Sequence, residues 1–287
     1  GIDHFKEIND NFGQEYGDFV LKKTAECISG CTSEGQKVYK LVADEFLILD
    51  VASDEAKDAD KLYDKVREAI DRFIETNEFK VMYTVSGGIV PFAALKGNQC
   101  SEALKLTDFA LNEAKKLGRN RCYIFNGETY RKFLRKREIT QELREAVING
   151  FQGFTAFYQP VFAEDKKVPY GAEALMRFTS EKFGMISPAE FIPILEKTGL
   201  IIPAGRWMMK EAMGKCSEIR KILSGFRMSI NISQVQASKS DVIQDISAEM
   251  KRTGLPLEAV IVELTESDLL EQNINEKHFL TELKRMG

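Results

Sequence analysis

From residue 150 onward the chain alternates short apolar runs with amphipathic helical stretches, and this alternation restricts its fold more than any other feature. Strand-like runs fall at about 155–162, 169–178, 226–232 and 259–264, with helical runs at 188–198, 204–223, 239–253 and 274–286. Such βα repetition builds a largely parallel sheet or barrel. Four strands of this kind make half of a (β/α)8 barrel, which takes roughly 250 residues when complete. Ser187-Pro188-Ala189-Glu190 carries the serine, proline and glutamate of a capping box, and Gly199 supplies the stop.

The first ~126 residues alternate as well, giving an α/β chain throughout. Phe19, Val20, Cys27 and Ile28 share a face of a helix over about 14–29. Leu62, Val66, Ala69, Ile70 and Phe73 mark a second helix, and Ala103, Ala110, Ala114 and Leu117 a third that Gly118 can close. Strand-like runs cover Lys37–Val42, Glu45–Asp50, Lys80–Val90 and Arg121–Phe125, and the first two predict a tight hairpin around Ala43-Asp44. Residues 127–149 are charged and helical, and the run Arg131, Lys132, Arg135, Lys136 and Arg137 reads as a solvated linker face rather than a nucleic-acid patch. The expected division is therefore a domain over 1–126, a linker helix over 127–149 and a second domain over 150–287.

Composition narrows the classes of function. Lysine and arginine total 40 against 44 for aspartate and glutamate, a net charge of -4, whereas broad nucleic-acid binding needs a basic surplus. His4 and His278 are the only histidines, which excludes a three-imidazole zinc site. The five cysteines form no CxxC pair and read as reduced thiols in a reducing compartment. No apolar run approaches the ~18 residues of a membrane span and no signal peptide opens the chain, so a cytoplasmic protein is expected. Opening at Gly1 and stopping within a helical pattern, the chain reads as a fragment, whose parent has room for a membrane anchor upstream.

Three polar residues sit at or near the ends of successive apolar strands: Glu173, Asn231 and Glu263. In a βα barrel such ends form one mouth, where active sites are built. Two carboxylates and an amide oxygen make a hard ligand set suited to Mg2+ or Mn2+. The alternative is that each acid pairs with a nearby arginine, such as Arg177 for Glu173, and spacing alone leaves both readings open.

Phe157-Tyr158-Gln159-Pro160-Val161 and Glu173-Ala174-Leu175-Met176-Arg177-Phe178 closely resemble the opening of an EAL domain, the cyclic di-GMP phosphodiesterase family. Ser187-Pro188, Phe191-Ile192-Pro193, Glu196, Thr198-Gly199-Leu200-Ile201, Asn231-Ile232-Ser233 and Glu263-Leu264-Thr265-Glu266-Ser267 continue the resemblance in order. It implies the first half of an EAL-type (β/α) barrel, with Glu173, Asn231 and Glu263 as metal ligands and Glu173 and Glu263 catalytic. Arg177 would hold a phosphate of the dinucleotide and Gln159 would line its pocket. The family's aspartate pair in a DDFG motif, a lysine and a further glutamate are expected downstream of Gly287, so the 287 residues alone are expected to be a poor phosphodiesterase.

The first domain resembles a GGDEF domain, the diguanylate cyclase family. The match rests on Ile2-Asp3-His4-Phe5-Lys6-Glu7-Ile8-Asn9-Asp10, Phe12-Gly13, Gly17-Asp18 and Ala114-Lys115-Lys116-Leu117-Gly118-Arg119-Asn120. It implies Asn9 and Asp18 as guanine readers, Lys115 and Arg119 as phosphate holders and Asp44 as part of the nucleotide site. The alternative for the lysines and Arg119 is a basic last turn that favours the helix dipole. The signature hairpin departs from the pattern, reading Val42-Ala43-Asp44-Glu45-Phe46 with both glycines replaced; Gly1 takes the place of the first metal-binding aspartate, and no RxxD motif precedes the hairpin.

Together these resemblances imply a bacterial cyclic di-GMP signalling protein, a metal-dependent phosphodiesterase releasing linear pGpG, with a degenerate regulatory GGDEF domain. The alternatives are an inactive cyclic di-GMP receptor and, less favoured, a diguanylate cyclase. The implied partners are cyclic di-GMP, GTP at the first domain and a second copy in a homodimeric parent, with no nucleic acid.

Overall fold

The computed structural model describes residues 1–51, 56–76, 81–95, 100–164, 167–264, 279 and 281–285. The chain divides into two compact units, Gly1–Phe133 and Leu134–Gly287.

The first unit contains helices α1 (Phe5–Phe12) and α2 (Gln14–Cys31), strands β1 (Gln36–Lys40) and β2 (Phe46–Asp50), helix α3 (Ala56–Thr76), strand β3 (Gly87–Ile89), helix α4 (Cys100–Lys116) and strand β4 (Cys122–Ile124). Strands β1 and β2 form the expected antiparallel hairpin, with Lys40 opposite Phe46. Of the long run expected over 80–90, Lys80 lies outside the described residues, and only Gly87–Ile89 forms a strand, parallel to β4. Gly88 lets β3 approach α4 closely, since a Cβ there would lie 2.3 Å from the Leu111 nitrogen. Leu62, Val66, Ile70 and Ile74 of α3 recur at the helical period and pack with Val20 and Ile28 of α2 and with Ile2, Ile8, Tyr83 and Val85. Phe19, expected on the inward face of α2, is 41% exposed, because the buried stripe runs through Val20, Thr24 and Ile28 instead.

Helix α5 (Gly127–Ile148) begins in the first unit and continues in the second. In the first, Tyr130 and Phe133 pack their rings against Phe109. In the second, Ile139, Leu143 and Ala146 are buried with Phe154, Phe178 and Phe191. The second unit continues with β5 (Phe154–Val161), β6 (Gly171–Ser180), β7 (Gly184–Ile186), α6 (Pro188–Thr198), α7 (Ile201–Arg220), β8 (Arg227–Ile232), α8 (Gln234–Lys239), α9 (Val242–Thr253) and β9 (Val260–Leu264).

The sheet order is β5-β6-β8-β9, with β7 also paired to β6, and among the described residues the sheet does not close on itself. Strands β6, β8 and β9 are parallel, as βα repetition requires. Strand β5 departs from that expectation and runs antiparallel to β6. The link over 162–170 is shorter than the dozen or so residues that a parallel crossover needs. Of the helical run expected at 274–286, only 279 and 281–285 are described, and these are helical. Helix α6 starts and stops where the sequence indicates, but Ser187 makes no side-chain cap bond; Glu190 pairs with Arg135 instead, through Nε at 2.8 Å and Nη2 at 3.0 Å.

Side chains alternate across the sheet. Ala172, Ala174, Met228, Ile230 and Ile232 face helices α7 and α9, where Met208, Met209, Met213, Cys216, Val242 and Ile246 complete the core. Each fully buried side chain of Ile or Met size contributes about 1.5–3 kcal/mol. The alternate residues of the same strands point to the opposite face, which holds the candidate site.

Candidate active site

Strand pairing gathers the site. Glu173 on β6 lies in register with Ser229 on β8, and Asn231 lies in register with Glu263 on β9. Since residues two apart share a face, Glu173, Ser229, Asn231 and Glu263 all project from one side. Asn231 Nδ2 donates to Glu173 Oε1 at 2.7 Å, which leaves the Asn231 amide oxygen for another partner. Glu173 and Asn231 are half-buried and Glu263 is exposed. Glu173 is the third residue of β6 rather than its last, because β6 runs on to pair with β7. Within Gly171–Ala174, the stretch paired with β8, it nevertheless stands toward the C-terminal end.

On the same face of β6, Gln159 of β5 lies in register with Glu173 and is exposed. Arg177 follows four residues after Glu173. Among the described residues no ion pair joins them; Arg177 Nη1 donates to the Met176 carbonyl at 2.9 Å, and its guanidinium carbon sits 5.6 Å from the centre of the Phe157 ring. Phe157, which sequence reasoning passed over as a site residue, shares this face by strand alternation. A hollow of about 200 Å³, lined by Val161, Tyr170, Arg227, Ser229, Ile261 and Glu263 among others, opens beside Glu263.

Among the described residues, no group of three or more His, Cys, Asp or Glu side chains gathers at one point. The donor set is two carboxylates and one amide, all hard oxygen, and it fits Mg2+ or Mn2+ better than zinc. Burial raises the carboxyl of Glu196, in the α6 motif, above the usual range.

In the first unit the expected nucleotide residues fall into two groups. Asn9 Oδ1 is buried, without a hydrogen-bond partner among the described residues, and sits against Gly17, where a Cβ would lie 1.8 Å away; Asp18, next in the chain, is exposed. Lys115 and Asp44 both approach the start of the motif: a Cβ at Gly1 would lie 3.3 Å from Lys115 Nζ, and the Ile2 N–H donates to the Asp44 carbonyl at 3.3 Å. Arg119 is exposed, in a left-handed conformation with φ 59°. The hairpin tip presents Val42, 82% exposed, and Ala43 with φ 53°, a conformation that favours glycine. A larger hollow of about 620 Å³ lies elsewhere in this unit, lined by His4, Glu7, Phe12, Asp71 and Glu75 among others, and none of the five expected nucleotide residues borders it.

Comparison with known proteins agrees with both halves of this description. The family described as "EAL domain" matches residues 140–287, and "Diguanylate cyclase, GGDEF domain" matches residues 1–121. The bifunctional diguanylate cyclase/cyclic di-GMP phosphodiesterase MucR of Pseudomonas aeruginosa is 28% identical over the whole chain, which covers 41% of that relative. The signaling protein YkoW of Bacillus subtilis is 30% identical, and the cyclic di-GMP phosphodiesterase NbdA of Pseudomonas aeruginosa 27%; the chain covers 36% of each. It thus spans about two-fifths of the length of the curated relatives it matches. In fold, it resembles the cGMP-bound EAL enzyme Bd1971 with a TM-score of 0.50 at 24% identity, over 66% of this chain and 50% of that one. No helix among the described residues is long and apolar enough to cross a membrane. With its profile match over residues 140–287 and a GGDEF match ahead of it, the chain belongs to the EAL domain family in its tandem GGDEF–EAL arrangement.

Proposed function

We propose that the protein hydrolyses cyclic di-GMP to linear pGpG at the face formed by Glu173, Asn231 and Glu263, and that the GGDEF domain regulates rather than synthesises. The observation that carries the reading is the placement of these three residues on one face of adjacent parallel strands, with Asn231 and Glu173 already joined at 2.7 Å. The relatives named as cyclic di-GMP phosphodiesterases support it.

Glu173, Asn231 and Glu263 would hold the divalent cation, Mg2+ or Mn2+. Bound there, the cation neutralises charge growing on a phosphoryl oxygen. Asn231 fixes the orientation of Glu173 by its hydrogen bond. Arg177, unpaired with any carboxylate among the described residues, offers a fixed charged fork that matches phosphate geometry. Gln159, level with Glu173 on the next strand, lines the approach and supplies amide hydrogen bonds to the substrate.

For the first domain the reading is regulatory, with GTP as its ligand. A valine side chain at the exposed hairpin tip and an alanine beside it stand where backbone must pass close to a nucleotide.

Glu173→Ala tests the site. Turnover of cyclic di-GMP at saturating Mg2+ should fall by roughly a hundredfold or more, as when a transition-state stabiliser is removed, while the melting curve barely moves. Full turnover in the folded variant would end the assignment.

A further inference from the structure

We infer that Phe157 is a positioning residue for Arg177: its ring holds the guanidinium over the site face without neutralising it, so the cation stays available to a phosphate of the dinucleotide. The inference rests on the phosphodiester reading above.

The geometry follows from register. Thr155 lies opposite Arg177 and Phe157 opposite Leu175, so Phe157 and Arg177 are diagonal neighbours across the β5–β6 ladder. Aromatic and long side chains reach each other at that diagonal. The guanidinium carbon is 5.6 Å from the ring centre, inside the range of cation–π attraction. One donor, Nη1, is taken by the Met176 carbonyl at 2.9 Å, which tethers the group at one end. Among the described residues no carboxylate pairs with it, so none of them takes up its charge or its remaining donors.

Arg135 shows what a purely structural arginine looks like in the same unit. It lies 4.5 Å from the Phe183 ring centre, yet both oxygens of Glu190 are also bonded to it. A carboxylate anchor consumes the donors and charge that an incoming phosphate would need, whereas an aromatic face does neither. Phe157 is also 47% exposed, more than a ring serving only the core would be.

The test uses Phe157→Leu, which keeps an apolar strand residue but removes the ring, Phe157→Tyr, which keeps the ring, and Arg177→Ala. Two readouts are taken: the Arg177 Nε–Hε signal by NMR without ligand, and the affinity for cyclic di-GMP by calorimetry with divalent ions chelated. The ring-current displacement of the Arg177 signal should vanish with leucine and survive with tyrosine. Affinity should fall roughly fivefold with leucine, the size of an exposed cation–π contact, stay at the parent value with tyrosine, and fall no further when leucine is added to Arg177→Ala. Unchanged affinity in Phe157→Leu, or an equal loss in the Arg177→Ala background, overturns the inference and leaves the phosphodiester reading standing. Failure of the unaltered protein to bind cyclic di-GMP overturns that reading instead. The NMR arm then decides alone: a signal that moves with leucine and not with tyrosine keeps Phe157 as the holder of Arg177, and one that does not move ends it.

Discussion

Asp3 in the first unit and Glu173 in the second are both carboxylates that the fold draws inward, and they are treated in opposite ways. Asp3 is 3% exposed and accepts bonds from Thr84 Oγ1 and Ser86 Oγ, each at 2.7 Å, and from the Asn120 backbone N–H at 3.1 Å. Among the described residues Glu173 accepts a bond from Asn231, and it faces the side of its sheet opposite the core. A carboxylate saturated by its own chain ties the fold together; one left partly unsatisfied keeps lone pairs for a cation or substrate. The sequence motif containing Asp3 would draw attention to it as a site residue, whereas its partners place it as the clasp that joins the 1–3 segment to residues 84–86 and 120.

This contrast predicts opposite signatures for two alanine variants. Glu173→Ala should remove activity and spare the melting curve. Asp3→Ala should strand three donors in a buried position and cost the first unit roughly 3 kcal/mol, read as an earlier unfolding transition by calorimetry. A stable Asp3→Ala protein would erase the distinction, because Asp3 would then be as dispensable to the fold as Glu173 is expected to be.

The hairpin sharpens the comparison from the side of the backbone. Ala43 holds φ 53°, and an L side chain in the left-handed region costs about 1–2 kcal/mol. Ala43→Gly should therefore raise stability by about 1 kcal/mol, somewhat offset by the greater freedom of glycine in the unfolded chain. No cyclic di-GMP should form from GTP in either protein, since Val42 still stands at the tip. Chromatographic detection of product from GTP and Mg2+, beside a denaturant titration, checks both halves.

How much of this was legible beforehand depends on which forces act locally. The strands β6, β8 and β9 and their helices announce themselves, because apolar period and chain direction are properties of single segments. Once those strands pair in parallel, alternation alone puts Glu173, Asn231 and Glu263 on one face. The direction of β5 was not legible from its own residues, since it is set by the short link to β6, and the Phe157–Arg177 contact depends on it. The burial of Ile139, Leu143 and Ala146 was hidden in a charged stretch, where three apolar residues at i, i+4 and i+7 make a narrow stripe. The capping box was expected at Ser187–Glu190 and stands instead at Ser233–Gln236. A glutamate at N3 is free to cap only when no arginine competes for it, and Arg135 comes from 55 residues away.

That competition yields the smallest expected effect. The hydrogen bond and the charge of Arg135 hold the Glu190 carboxyl below the usual carboxylate range, against an opposing push from burial. A carboxyl lowered in the folded state stabilises the fold fully above its unfolded value of about 4.3, and that contribution disappears as pH falls through the lower folded value. Stability of the second unit should therefore decline on the acid side, and Glu190→Gln should flatten the decline while lowering stability slightly at neutral pH. Both side chains are about a third exposed, so added salt should shrink the difference as well. Arg177, which has no such carboxylate among the described residues, predicts the opposite for its own variant: Arg177→Ala should leave the acid limb of the melting temperature where it was. If the Arg177→Ala limb shifts as much as that of Glu190→Gln, the two arginines are doing the same structural job, and the separation between a satisfied and an open cation falls.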